Sequence, residues 1–252
     1  MNAMIAMLRV ELRRLLLRPW PWVLAAAVLG WLGWNLLLGL GEFLKAQAHL
    51  ATLPAAPGYT DIVAVPLLAQ FAEIALLLVP ILSMQSLAGE RRAGTLPLLL
   101  AQGLPAAAIV LGKYLAQLLW LWLLLALVLL LPLLLAPAAH LDYGKLAAAA
   151  LGIALLLAAL LAVGVAASAF TRQPVLAAAL ALALTLALWA GAAQGRAPQL
   201  SGPLLRWLSL PTHLQPMLRG LVATQDLAYF GILIALALGC AVQRLARERA
   251  VG

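Results

Sequence analysis

Glu90, Arg91, Arg92 and Lys113 stand around the stretch GERRAGTLPLLLAQGLPAAAIVLGKY, residues 89–114, in a chain otherwise nearly without charge. Lys113 in LGKY invites comparison with a phosphate-loop lysine. Such a loop needs Gly five residues before the second Gly and Ser or Thr after the lysine, whereas Ala107 and Tyr114 stand there. The chain is therefore not expected to bind a nucleotide, and Lys113 is expected to reach out to lipid headgroups. Glu73 lies in the middle of an apolar run with no charged neighbour in sequence. A charge at bilayer depth costs about 2.5–3.5 kcal/mol on insertion scales, so this carboxyl is expected to face the bundle or a cavity, or to stay protonated. Gln70 and Asn35 are its candidate polar partners, and Ser83, Gln85 and Ser86 extend a polar strip along the same run. That strip makes the run a candidate translocation path or subunit seam.

Other chemistry finds no constellation. His49, His140 and His213 lie in three separate segments without ligand spacing and are expected to be exposed. No Ser-His-Asp order or paired-carboxylate cluster presents itself. Met1, Met4 and Met7 are soft enough for Cu(I), but no second Met or Cys cluster joins them. The single Cys240 excludes an intramolecular disulfide.

These residues are carried by elements that composition defines. Charged residues make up 10% of the 252 and hydrophobic ones 66%, against roughly 25% charged in a soluble domain. The net charge of +8 goes with no nucleic-acid-binding motif, so no nucleic-acid partner is expected. A hydrocarbon core about 30 Å thick takes about 20 helical residues. Six apolar runs meet that length, at 21–40, 64–88, 107–135, 146–169, 175–193 and 227–243. Continuous Leu/Ala runs exclude the alternation of a barrel. The fold class is all-α, a single polytopic membrane bundle of six spans. Lipids are its solvent.

Basic residues set the orientation. Arg9, Arg13, Arg14, Arg18, Arg91, Arg92, Lys113, Arg172, Arg244, Arg247 and Arg249 fall on one side, and Lys45, Lys145, Arg196, Arg206 and Arg219 on the other. The richer side is expected to be cytoplasmic and to hold both termini. The sequence AQA at 46–48 resembles a signal-peptide cleavage site, but the apolar run before it is too long for one. The segment MIAMLRVELRRLLLRP is amphipathic at helical period, with Ile5, Leu8, Leu12, Leu15 and Leu16 opposite Arg9, Glu11, Arg13, Arg14 and Arg18. It is expected to lie in the membrane interface and to end at Pro19 and Pro21.

Among the spans, the third is bulky all round and is expected to face lipid. The fifth carries Ala179, Ala183, Ala187 and Gly191 at steps of four, a ridge for close helix approach within the bundle or at a seam. Pro66 and Pro80 are expected to bend the second. The segment 194–226 is rich in Pro and Gly yet holds Leu204, Leu205, Trp207 and Leu208, and short helices on the outer leaflet are expected there.

Residues 89–105 connect spans two and three. Gly89 and Gly94 punctuate them, Thr95 suits the cap of a helix starting at Leu96, and Gly103 with Pro105 suits its end. Leu96, Leu99 and Leu100 would share one face of a helix too short to be stable alone, which must pack on its own bundle or headgroups, or seat in another protein.

The run ERRAGTLPLLL, followed by IVLGKYLAQLL, resembles the cytoplasmic loop and following helix start of ABC transporter permeases of type 2. The resemblance extends to the amphipathic N-terminal helix, the span count and the cytoplasmic termini. The C-terminal LSLPTHLQPMLRGLVATQDLAYFGILIALAL further looks like the gliding-motility-type, GldF-like permease subunit. Pro97 stands where the family usually has an acidic residue, and Gly103 where it has Pro. The resemblance implies an export-type permease in a bacterial cytoplasmic membrane, paired with a second copy or a related permease. It implies a coupling helix at residues 90–100 seated on a separate ATPase subunit that holds ATP and Mg. Glu90, Arg91, Arg92, Gly94, Thr95, Leu96, Leu99 and Leu100 are then the contact residues, and the chain itself carries no cofactor and no catalytic site. A force-transmitting scaffold and a secondary transporter are the alternatives.

Overall fold

A computed structural model of the protein describes residues 2–50, 57–96, 99, 104–135, 141–190 and 207–251. The described residues form helices joined by turns. They are α1 (Asn2–Leu17), α2 (Pro19–Leu50), α3 (Val65–Ser83, entered through a π-helical turn Thr60–Ala64), α4 (Ala88–Arg92) and α5 (Ala106–Leu133). Then come α6 (Tyr143–Phe170), α7 (Pro174–Ala190), α8 (Leu210–Leu218) and α9 (Thr224–Val251). Five stretches are long and apolar enough to cross a bilayer: Pro19–Ala46, Thr60–Arg92, Ala106–Leu133, Tyr143–Phe170 and Thr224–Arg249. Pro174–Ala190 is a shorter apolar helix, and Gly191 of the fifth expected span lies outside the described residues. The protein is a polytopic helical bundle.

Helix α6 is the hub, touching α3, α5, α7, α8 and α9. Its sequence, YGKLAAAALGIALLLAALLAVGVAASAF, explains why: Ala and Gly dominate on several faces, so neighbours approach from all round. A Cβ on Gly164 would come within 2.8 Å of Ser83 Cβ, and one on Gly152 within 2.9 Å of Met217 Cβ. These two glycines are the crossing points of α6 with α3 and α8. Helix α2 is peripheral. It buries Ala25, Val28, Leu32 and Leu36 at helical spacing and turns Trp20, Trp22, Trp31 and Trp34 outward.

The outer faces differ from expectation in two spans. Helix α5 is not lipid-facing all round: Ile109, Tyr114, Trp120, Leu121 and Leu124 are buried, while Leu119, Trp122, Leu123, Ala126 and Leu130 are exposed. Bulky side chains serve the core here because Ala-rich α6 lies opposite and leaves them room, with the Tyr114 hydroxyl donating to Ala158 O at 3.1 Å. In α7 the packing stripe is Ala177, Ala181 and Thr185, so the ridge Ala179, Ala183 and Ala187 faces outward. Both stripes have the same spacing, and position alone could not choose between them.

Two clusters of polar contacts mark the two ends of the bundle. At one, α1, α4, the start of α5, the end of α6 and the end of α9 meet through ion pairs and hydrogen bonds. At the other, Lys145 pairs with Asp61, Thr60 Oγ1 accepts from Asp142 N at 2.9 Å, and α8 lies across α6. Tyr59 is buried at this end, which raises the pKa of its phenol above the ordinary value. His213 is here as well, and it is buried rather than exposed: Nδ1 lies 2.7 Å from Asp226 Oδ1, Nε2 lies 2.9 Å from Trp207 O, and the ring stacks on Tyr229 at 4.0 Å. Both ring nitrogens thus face acceptors, which fixes the ring between α8 and α9. The turn after α8 closes with Gly220 at φ +90, Leu221 N donating to Pro216 O and Gly220 N to Met217 O. His140 and the side chain of His49 lie outside the described residues.

Candidate functional site: the anchored α4 segment

The chain leaves α3 at Ser83, turns through Met84–Leu87, and runs as α4 from Ala88 to Arg92. A helix this short needs external partners for its end groups. Ser168 of α6 supplies them at the start: its Oγ accepts from Leu87 N at 3.0 Å and from Ala88 N at 2.9 Å, and donates to Met84 O at 3.3 Å. Gly94 closes the other end. With φ +70 it lets Thr95 N donate to Glu90 O at 3.0 Å and Gly94 N to Arg91 O at 3.1 Å, the paired bonds of a Schellman turn. The Thr95 hydroxyl also points back to Glu90 O, so it completes this end rather than capping the next helix. Leu99 N then donates to Thr95 O, as expected of a helix starting near Leu96.

The charges of the segment are committed inward. Glu90 is 7% exposed, and its Oε1 lies 2.6 Å from Lys113 Nζ and 3.8 Å from Arg14. Lys113 is 1% exposed and also lies 3.4 Å from Glu11, which is itself 3.9 Å from Arg14. Lys113 therefore does not reach the headgroups; it is the centre of a buried network joining α1, α4 and α5. Space for it arises at Gly112, where a Cβ would come within 2.8 Å of Met7 Cβ, so α1 lies directly on α5. Met7 and Glu11 are consequently the buried positions of α1, while Ile5 and Leu16 of the expected apolar arc are exposed. Arg91 extends the anchoring to the other side of the bundle. Its guanidinium grips Glu248 of α9 at 2.9 and 3.0 Å and donates to Ser168 O at 3.1 Å and Thr171 O at 2.6 Å.

The eight residues expected to contact a partner thus divide. Glu90 and Arg91 are spent on intramolecular pairs. Leu96 is 3% exposed in the core and Leu99 packs against it, so these two are not a free apolar anchor. Leu100 lies outside the described residues. Arg92, Gly94 and Thr95 form the exposed remainder, and Ala93, not among the expected contacts, is exposed between them.

The α3 candidates divide as well. Glu73 on α3 and Gln85 in the turn just after it are exposed on the outer side, with Leu77 and Ile81 between them. Glu73 therefore does not face the interior of this bundle. Asn35 does not meet it: its Nδ2 donates to Trp31 O at 2.8 Å. Gln70, one turn before Glu73, is half-buried with an Oε1 that has no partner among the described residues. Ser83 and Ser86 are buried, Ser83 against Gly164, and do not continue the exposed strip. Ser168, Glu248 and Glu11 were not singled out from sequence. A usable signal existed for the acids: Glu11, Glu90 and Glu248 are the acidic residues among the basic clusters of this end, and each of them is paired.

A bundle of membrane-spanning helices, bearing at its basic end a short helix held by polar links to α1, α5, α6 and α9, defines a multi-pass membrane protein with a rigidly mounted surface segment. A family model described as ABC-2 family transporter protein matches residues 40–248, most of the chain, and the chain belongs to that family. It is a membrane permease subunit of an ABC transporter. A search of curated proteins finds no match.

Proposed function

We propose that this permease works by export in a bacterial cytoplasmic membrane, driven by a separate ATPase subunit that binds ATP and Mg and grips the segment centred on Arg92–Thr95. The observation that carries the reading is the exposure of Arg92, Ala93, Gly94 and Thr95, the end and closing turn of a helix whose other side chains are tied into the bundle. A surface meant only to be solvated has no need of such mounting. The excess of Arg and Lys at this end supports a cytoplasmic location. The exposed carboxyl of Glu73 supports pairing with a second copy or a related permease, because an outward-facing acid at bilayer depth is costly against lipid. The GldF-like likeness of the C-terminal segment belongs to this proposal too.

The test pairs Arg92→Glu with Ala93→Asp. The double variant is expected to lose the ATPase subunit on co-purification from native membranes while keeping the parent's thermal midpoint. Inverted vesicles carrying it should lose vanadate-sensitive, ATP-dependent uptake. Undiminished co-purification refutes the contact, and intact ATP-dependent uptake refutes the coupling.

A further inference from the structure

Beside the buried network, the end of α1, the Pro19–Pro21 bend and the adjoining faces of α3 and α5 enclose a cavity of about 310 Å³. That is within the size range of small-ligand sites, roughly 300–1,000 Å³. Its polar lining is Glu11, Arg14, Arg18, Trp20, Gln85 and Gln117. Three features of this lining point to one kind of occupant.

The first is charge. Glu11 and Glu90 balance Arg14 and Lys113, so that network is neutral, and Arg18 adds an exposed cation without an ion pair among the described residues. One net positive charge fits a monoanion. The second is unused donor capacity. Arg14 stands 3.8–3.9 Å from its carboxylates, too far for hydrogen bonds, so its planar fork of N–H groups is available for bidentate contact with a phosphodiester. The third is Gln117, 3% exposed, whose Oε1 has no partner among the described residues. A buried acceptor of this kind requires a donor, and a neutral hydroxyl supplies one without adding charge. The setting adds the route of entry: Ile81 at the rim and Trp20 are both exposed on the flank of the bundle, and Trp favours the headgroup level of a bilayer.

We infer that this cavity holds the headgroup of an anionic glycerophospholipid, its phosphodiester on Arg14 and Arg18 and a headgroup hydroxyl donating to Gln117. The site is independent of the ATPase contact. It gives the amphipathic helix α1 a lipid ligand at the same residues that tie it to α4.

The test uses the full chain in nanodiscs of equimolar phosphatidylcholine and phosphatidylglycerol, with retained lipid counted by native mass spectrometry after release. The parent is expected to retain phosphatidylglycerol in preference to phosphatidylcholine. Arg14→Gln with Arg18→Gln should reduce that retention roughly tenfold or more, as the loss of charged hydrogen bonds dictates. Gln117→Leu should reduce the preference for the hydroxylated headgroup. Ile81→Trp leaves every charge in place and fills the mouth, so its loss of retention separates a cavity from a diffuse basic surface. It also decides the matter if the arginine variant fails to fold. Full retention by Ile81→Trp, or no preference in the parent, overturns the inference. Thermal stabilisation by inorganic phosphate in lipid-free detergent equal to that by phosphatidylglycerol overturns the lipid as the source.

Discussion

Replacing Lys113 by Met tests the buried network most directly. The ammonium is 1% exposed and lies 2.6 Å from Glu90 and 3.4 Å from Glu11, both with side chains at least nine-tenths buried. Without it, two carboxylates share a desolvated space with only Arg14, 3.8 and 3.9 Å away and half in solvent. Breaking a buried pair from one side costs about 3–5 kcal/mol. In a chain of this length each kcal/mol lowers the thermal midpoint by about 2–4 °C, so a fall of roughly 6–20 °C is expected. Glu90→Gln combined with Lys113→Met removes both members of the shortest pair, and replacing a whole buried pair is near neutral. The double variant should therefore regain most of the lost midpoint instead of adding a second loss to it. The assay is near-ultraviolet circular dichroism of the full chain in one detergent at one scan rate, since membrane proteins of this kind unfold irreversibly. A Lys113→Met chain that melts with the parent, or strictly additive single losses, refutes the network.

Ser168→Ala removes the acceptor for Leu87 N and Ala88 N, which should cost about 1–2 kcal/mol and speed hydrogen exchange at residues 87–92 while α6 itself stays protected. Gly164→Ala should destabilise, because its Cβ meets Ser83 Cβ at 2.8 Å, whereas Gly239→Ala has nothing within 4 Å and should be neutral or gain about 0.5–1 kcal/mol from helix propensity; parallel thermal scans that rank them the other way refute the α3–α6 crossing. Glu73→Leu removes the outward acid of α3 and should weaken self-association read by energy transfer between labelled copies in nanodiscs, together with transport; a variant unchanged in both removes Glu73 from any seam or pathway.

The spans were legible because twenty apolar residues in lipid leave the backbone only the helix, and length alone then finds the segments. Their ends were less so. Helix α2 runs to Leu50, beyond residue 40, because Glu42 and Lys45 pair at helical spacing and prolong it past the apolar run. The α4 segment was legible as punctuation, since Gly94 must supply the left-handed turn that ends it. What was not legible was the direction in which its side chains point. Amphipathicity gives the spacing of Leu96 and Leu99 but not which surface covers them, and the parent bundle does. Nothing near Lys113 announces two carboxylates that come from 23 and 102 positions away in sequence, nor does any local pattern tell that Ser168 will cap a helix 80 residues before it.

The way α4 is mounted determines what a force on it can do. A pull at Arg92–Thr95 cannot move that surface alone, because the helix has no apolar reserve of its own and is held by other elements at its start and through the Glu90 and Arg91 side chains. Through Arg91 and Glu248 the load passes to α9, through Ser168 to α6, and through Glu90 and Lys113 to α5 and α1. The Arg91–Glu248 and Lys113–Glu90 links are charge-assisted and short, and the Ser168 hydrogen bonds are directional, so they are stiffer than the apolar contacts elsewhere in the bundle, which are non-directional and slide more readily. Displacement should therefore appear as a rigid-body shift of the helices at this end relative to α7 and α2, which share none of the ion pairs. Cutting the Arg91–Glu248 link with Glu248→Gln should uncouple α9 from α4 while leaving α1 attached, and distances from spin labels on exposed positions of α4, α1 and α9, measured with and without an ATPase subunit bound, read that difference. A variant in which α1 and α9 still move together with α4 shows that packing, and not the ion pairs, carries the load.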